Sequence, residues 1–302
     1  MTRRVALERL RCLFPVGGAP VITVADEPMR HLPVRHQVLP VTQHAASVVH
    51  TMLRILVAFT LLMLHALPSY AQTLRVLTTG AFKQVVVALV PDFEARTGIK
   101  VELLADTAGA LTQRIEAGER FDLLFLTPAG LASLSKQGKV DPESIRPVAR
   151  VAIGVAVRVG SPLPPLETVE QFKQAVLGAR KVAYIDPASG GSSGIYLDGL
   201  FQRLGIADAV RARAVLVPGG YAAERVANGE ADLAIHQVSE ILPVSGVTLA
   251  GLLPQAMQNY TTYGYGVATA SQMRPAAASF AAVVNASGTA DMIRAKGMER
   301  VQ

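Results

Sequence analysis

Cysteine is nearly absent. The 302-residue chain has one, Cys12, which excludes an internal disulfide framework and any multi-cysteine metal site. Charge is sparse as well: 17% Asp, Glu, Lys and Arg against 50% apolar residues. A disordered chain has the opposite balance. Long hydrophobic runs are missing. The one strongly apolar run, residues 55–64, is too short to cross a ~30 Å hydrocarbon core, so a multi-span membrane protein is excluded. The chain has no HExxH zinc motif, no Walker A lysine and no aspartate-rich calcium loop. What remains is room for one large or two modest domains, and neither a metal nor a cofactor is expected.

The net charge of +6 is concentrated at the start. Residues 1–71 hold seven Arg (Arg3, Arg4, Arg9, Arg11, Arg30, Arg35, Arg54) and three acids (Glu8, Asp26, Glu27). Beyond them lie 22 basic and 20 acidic residues. The basic residues are scattered there, so a nucleic-acid groove is not expected. Met52-Leu53-Arg54, the apolar run 55–64 and the small residues of Leu67-Pro68-Ser69-Tyr70-Ala71 form the charged, apolar and small-residue pattern of a secretory signal cut before Gln72. Residues 1–51 carry Pro15, Gly17, Gly18, Pro20 and Pro33 with no sustained period, and read as an over-long start or a disordered leader. The expected product is an exported, periplasmic protein without cysteine. A monomer is expected.

Beyond residue 72, apolar runs alternate with helix-period segments. Strands are expected at 74–77, 101–104, 121–126, 182–185, 214–217 and 233–236. Helices are expected near 82–97, 110–118, 129–136, 169–176, 194–204, 221–228, 275–285 and 289–296. FDLLFL (121–126) reads as a strand buried on both faces. Strand–helix alternation implies parallel sheets with helices on their faces. Two long β-rich stretches, 148–159 and 260–269, interrupt two blocks of such units, and both are candidate passages between two lobes. Tyr260, Tyr263 and Tyr265 in the second stretch read as hinge packing. Glu116, Glu119, Glu224 and Glu230 read as solvated helix faces or turns.

Four expected strands end in small, polar or glycine-rich turns before a helix. They are Thr78-Thr79-Gly80-Ala81, Asp106-Thr107-Ala108-Gly109, Ser189-Gly190-Gly191-Ser192-Ser193-Gly194 and Pro218-Gly219-Gly220. Such turns present unpaired backbone N–H groups at the positive end of a helix dipole. Glycine permits close backbone approach. In open α/β sheets they lie at the carboxyl edge, where ligands bind. The chemistry favours a small anion, with neutral donors from Thr79, Thr107, Ser192 and Ser193. His236, the one histidine beyond residue 71, ends an expected strand next to Gln237. It is either a satisfied strand-end residue or a cleft donor. Gly190-Gly191-Ser192-Ser193-Gly194 also fits the G-x-S-x-G elbow of serine hydrolases, with Asp198, Asp208 or Asp232 and then His236 in that fold's order. Against it, Asp186-Pro187-Ala188-Ser189 separate strand from glycines, where an elbow serine follows its strand directly.

LRVLTTGAF (74–82), ALTQRIEAGERFDLLFLT (110–127), SGGSSGIY (189–196), VANGEADLAIHQ (226–237) and ASGTADMIRAKGM (286–298) stand in this order after the signal pattern. Together they resemble the extracytoplasmic solute-binding proteins of ABC importers, in the molybdate-binding-protein-like branch. The resemblance implies an α/β, two-lobed type II periplasmic binding fold. Each lobe would be a central, mostly parallel sheet flanked by helices, with two hinge crossovers. Lobe one would be 72–150 plus 266–302, and lobe two 151–265. It implies capture of a molybdate-like oxyanion or small carboxylate without covalent chemistry, and delivery to an ABC permease in the inner membrane. By position, that branch's first-turn serine falls on Ala81 and its second-turn serines on Thr107, Ala108 and Gly109. Its third-turn contact falls near Ser193, its fourth on Gly219 and a tyrosine on Gln237. The full expected ligand set is Thr79, Gly80, Ala81, Thr107, Ala108, Gly109, Ser192, Ser193, Gly194, Gly219, Gly220, His236 and Gln237. The rivals are an exported serine hydrolase using Ser192 and His236, and an anion sensor signalling to a membrane partner.

Overall fold

The structure, a computed structural model, describes residues 50–57 and 72–301. The chain divides into two compact units, 1–68 and 69–302. In the first, the described part is an exposed helix over 50–57. Of the leader expected over 1–51, residues 1–49 lie outside the described residues, and so do residues 58–71 of the signal segment expected over 52–71. Among the described residues, no helix is long and apolar enough to cross a membrane.

The second unit opens with β1 (Thr73–Thr79), α1 (Gly80–Thr97), β2 (Lys100–Asp106), α2 (Ala108–Glu116), β3 (Leu123–Leu126) and α3 (Pro128–Lys136). The long strand β4 (Arg146–Arg158) follows. Next come α4 (Val169–Gly178), β5 (Val182–Ile185), α5 (Ser192–Arg203), α6 (Ala207–Arg211) and β6 (Ala214–Val217). The chain continues with α7 (Ala223–Ala227), β7 (Leu233–Gln237), α8 (Val238–Ile241), β8 (Val247–Leu252) and β9 (Tyr260–Val267). It closes with α9 (Arg274–Asn285), α10 (Ala290–Ala295) and β10 (Glu299–Arg300).

The strands form one curled ten-stranded sheet in the order β2-β1-β3-β9-β4-β7-β5-β6, with β8 and β10 also paired to β4. Two parallel sets flank an antiparallel seam. β1 runs parallel to β2 and β3, and β5 parallel to β6 and β7. β9 and β4 are antiparallel to their neighbours. This is the α/β fold with flanking helices that the sequence implies. β4 is the first passage between the halves: up to Ala152 it pairs with β9, and from Ile153 it pairs with β7. The return does not lie in the stretch 260–269. β9 pairs wholly with β3 and the first half of β4, so the chain crosses back at 253–259. There the Gln258 side chain brackets one residue of β4: its Oε1 accepts from the Ile153 N–H and its Nε2 donates to the Ile153 carbonyl, both at 2.9 Å.

Period-2 alternation explains why these short strands are fully buried. In β3, Leu123 and Phe125 face one core and Leu124 and Leu126 the other. In β5, Val182 and Tyr184 face one core and Ala183 and Ile185 the other. Helices close both faces. α1 buries Phe82, Val85, Val86 and Phe93. Phe82 stacks on Phe125 with ring centroids 4.9 Å apart, and Phe93 meets Phe280 edge-on at 5.0 Å. In the other half Tyr184 and Phe201 make an edge contact at 5.5 Å. Such pairs add ~0.5–1.5 kcal/mol each beyond area burial. α1 stops at Gly98, which takes φ 69° and donates its N–H to the Glu94 carbonyl at 2.9 Å, the left-handed helix stop that glycine favours.

Candidate functional site

The carboxyl ends of β1, β2, β5 and β7 meet around a cavity of about 220 Å³. That is below the ~300–1,000 Å³ of pockets for drug-sized ligands, so it suits a small metabolite or ion. Ten of the thirteen expected residues line it: Thr79, Gly80, Ala81, Thr107, Ala108, Ser192, Ser193, Gly220, His236 and Gln237. The starts of α1, α2 and α5 all face it, through Gly80, Ala108 and Ser192. The fourth turn differs from expectation. It leads only to the five-residue α7, and what it adds is the Tyr221 side chain.

Three expected residues stand outside the lining, each for a packing reason. Gly109 touches the opposite half: a Cβ on it would lie 2.7 Å from the Gly190 Cα, and its N–H donates to the Gly190 carbonyl at 3.1 Å. Gly194 lets α5 start against β5, since an added Cβ would lie 2.3 Å from the Ile185 carbonyl oxygen. Gly219 lies at the rim, with Asp106 and Thr107 as its nearest neighbours. Two others line the cavity in altered roles. The Thr107 hydroxyl accepts from the Ala110 N–H and donates to the Ser189 carbonyl at 2.6 Å, so it caps α2 and closes the lip. Gly80 makes room for Glu240, whose Oε1 would lie 2.4 Å from an added Cβ.

The halves also meet through Gln84, whose amide donates to the Tyr221 hydroxyl at 2.7 Å, and through Tyr263, whose hydroxyl donates to Gln237 Oε1 at 2.9 Å. The cleft is therefore closed by contacts on several sides. Tyr263 corrects the expectation of hinge packing: it is 2% exposed and lines the cavity. Burial pushes its phenol up, and the Glu240 carboxylate adds to that; the bond with Gln237 opposes it. Tyr260 instead lies under the Arg150 guanidinium at 4.6 Å, and Tyr265 packs edge-on against Phe125. Glu224 is exposed, as expected, and also lines the cavity. Glu119 is held low by its bond with Arg114.

His236 is 1% exposed, and its Nε2 lies 3.1 Å from Oε2 of Glu240, itself 9% exposed. Its Nδ1 has no partner among the described residues, and neither do Thr79 Oγ1 and Gln237 Nε2. An unmet buried polar atom costs ~1–3 kcal/mol, so three in one small cavity mark it as built for something polar. Lys83 is the one lysine or arginine of the lining. Its Nζ stands 5.9 Å over the Tyr221 ring, and it makes no ion pair among the described residues. The serine hydrolase arrangement does not form: Ser192 follows the end of β5 by seven residues, and His236 bonds to Glu240 rather than to a serine. Among the described residues, no cluster of three or more His, Cys, Asp or Glu side chains could hold a metal.

Sequence reasoning missed Lys83, Asp106, Tyr221, Glu224, Glu240 and Tyr263 in the lining. A polar residue one helical turn beyond a strand-to-helix corner was the available signal for Lys83 and Glu240.

This arrangement is that of a solute-binding protein. A profile of bacterial extracellular solute-binding proteins matches residues 74–299, and the chain belongs to that family. It is 31% identical over 235 residues to a protein of Pseudomonas sp. named aconitate isomerase, covering 76% of this chain and 88% of that one. Among solved structures it is similar to the periplasmic molybdate-binding protein of Azotobacter vinelandii. The TM-score is 0.63 and the identity 20%, over 76% of this chain and 100% of that one. The sulfate-binding protein of Mycobacterium tuberculosis follows, at TM-score 0.62 and 17% identity, covering 76% and 88%. At these identities the two structures establish the shared fold.

Proposed function

We propose that this protein captures a small polycarboxylate outside the cytoplasmic membrane. The observation that carries the reading is the cavity itself: three helix starts from both halves of the sheet, orphaned donors and one unpaired cation converge on it. Each helix end favours negative charge by ~0.3–1 kcal/mol, more when partly buried. Lys83 supplies the counter-charge that a carboxylate group pairs with.

A tetrahedral oxyanion fits this lining less well. Ala81 and Gln237 stand where the molybdate-binding pattern has hydroxyls, and the Thr107 hydroxyl is committed to the lip. The name of the Pseudomonas relative points to the same class, a tricarboxylate. The exported location, the signal segment 52–71 and an ABC permease as partner belong to this proposal. So do the two lobes hinged at β4 and at 253–259, which would close on the ligand from both sides. A second reading, in which the bound acid is converted rather than delivered, is favoured by the His236–Glu240 pair.

The test is a thermal-shift panel on the protein from Gln72 onward: citrate, tricarballylate, cis- and trans-aconitate, molybdate, tungstate, sulfate and phosphate. A tricarboxylate at about 100 times its dissociation constant should add about 2.7 kcal/mol. Lys83→Met should weaken it ~10- to 150-fold, the worth of a hydrogen bond to charge. A response to molybdate or sulfate alone would overturn the carboxylate assignment.

A further inference from the structure

We propose that His236 and Glu240 form a proton-transfer pair that labilises a carbon-bound hydrogen of the carboxylate held in the cleft, which makes the site catalytic. The inference rests on the polycarboxylate reading above and adds the residues and the bond they act on.

The geometry is that of an oriented base. His236 is the penultimate residue of β7, and Glu240 lies four residues on in α8, so the turn between them brings Nε2 and Oε2 to 3.1 Å. A neutral imidazole that donates Nε2–H to a carboxylate carries its lone pair on Nδ1. That nitrogen is buried and has no partner among the described residues, in a side chain lining the cavity. A purely structural buried pair gives little net stability, and leaving Nδ1 unmet makes it worse. A carboxylate-held imidazole with one free nitrogen is instead what proton abstraction requires.

The surroundings fit the task. Gly80, on the opposite half, leaves room for Glu240 Oε1, and the positive end of α1 lies beside that carboxylate. The groups facing the pair from other elements are Lys83 on α1, Asp106 on β2, Tyr221 and Glu224 around α7, and Tyr263 on β9. Lys83 is the cation that can hold the ligand's carboxylate as negative charge develops on it.

The substrate class is an unsaturated polycarboxylate with a methylene between a carboxylate and a C=C bond. The C–H bond breaks, the proton goes to Nδ1, and the electron pair spreads through the double bond onto the carboxylates. Glu240 balances the imidazolium formed. Return of the same proton to the far allylic carbon restores neutral His236 and yields the isomer. No oxidant, water or metal takes part, and atoms and charge balance.

The experiment incubates the protein with cis-aconitate or trans-aconitate in D₂O and follows both by proton NMR, with calorimetric binding of the same acids in parallel. The expected result is loss of the C–H signals, interconversion of the two, or both. His236→Gln should slow it ~10²–10⁴-fold. Glu240→Gln should lower turnover at an unchanged dissociation constant, the mark of a positioning residue. Folding of both variants is checked by their melting temperatures. Binding with neither exchange nor interconversion in the wild-type protein overturns this inference and leaves the binding reading standing. Absence of binding overturns the binding reading first. Undiminished exchange in folded His236→Gln removes His236 from the role.

Discussion

Gly109→Ala tests whether the lip contact governs closure. The added Cβ would lie 2.7 Å from the Gly190 Cα and 3.1 Å from the Ser189 carbonyl oxygen. Carbon atoms in contact stand ~3.5–4.0 Å apart, so the lips must part by roughly 1 Å. Both partners are backbone and cannot swing aside. Parting weakens the Gly109 N–H bond to the Gly190 carbonyl and the Thr107 hydroxyl bond to the Ser189 carbonyl, together ~1–3 kcal/mol. A closed form disfavoured by that much lowers affinity ~5- to 150-fold. Each half keeps its own core, and alanine suits a helix better than glycine by up to ~1 kcal/mol. The ligand-free melting temperature should therefore hold or rise while affinity falls. Calorimetric titration with trans-aconitate measures the loss, and small-angle scattering should find the ligand-saturated variant more expanded than the wild-type protein. Equal affinity and equal scattering in the two proteins would refute the reasoning.

Gly80→Ala should destabilise by ~1–3 kcal/mol through overpacking against Glu240. In a Glu240→Ala background the same change should be neutral or stabilising, and urea melts of the four proteins of that cycle measure the coupling. Asp232 is held low first by its bond with Arg180, then by the Arg180 and Lys181 N–H groups, against the cost of burial. Its contribution is present above its unfolded value near pH 4 and is lost as pH falls through the lower folded value. Asp232→Asn should therefore cost about 1 kcal/mol at neutral pH, after discounting for solvent screening, and the cost should vanish on acid titration of the melting temperature.

The fold was legible where burial is two-sided. Val182–Ile185 falls on the residues its apolar run marks and is buried throughout, because a parallel strand covered on both faces reads as a continuous apolar segment. β8 escaped for the opposite reason: its residues Val247–Leu252 are half-buried or exposed, and VTLAGL has no alternation to mark a face. The return passage was misplaced because a β-rich stretch marks where a strand runs and not which half it joins. That depended on Gln258 gripping Ile153, a contact across 105 positions that no local pattern carries. The candidate site shows the same division. The corners were legible because glycine and small hydroxyl residues after a strand have few other uses.

What the corners hold was not legible, because glycine records an approach without naming what approaches. At Gly80 it is Glu240, at Gly109 the Gly190 backbone and at Gly194 the Ile185 carbonyl. Only after those three are accounted for do the unmatched polar groups stand out: the Lys83 ammonium, the buried, orphaned Thr79 and Gln237 atoms and His236 Nδ1. A cage of hydroxyls and amides would be complete for an oxyanion without an imidazole fixed by a buried carboxylate. The presence of that pair makes the orphaned nitrogen the atom on which binding alone and binding with chemistry part ways.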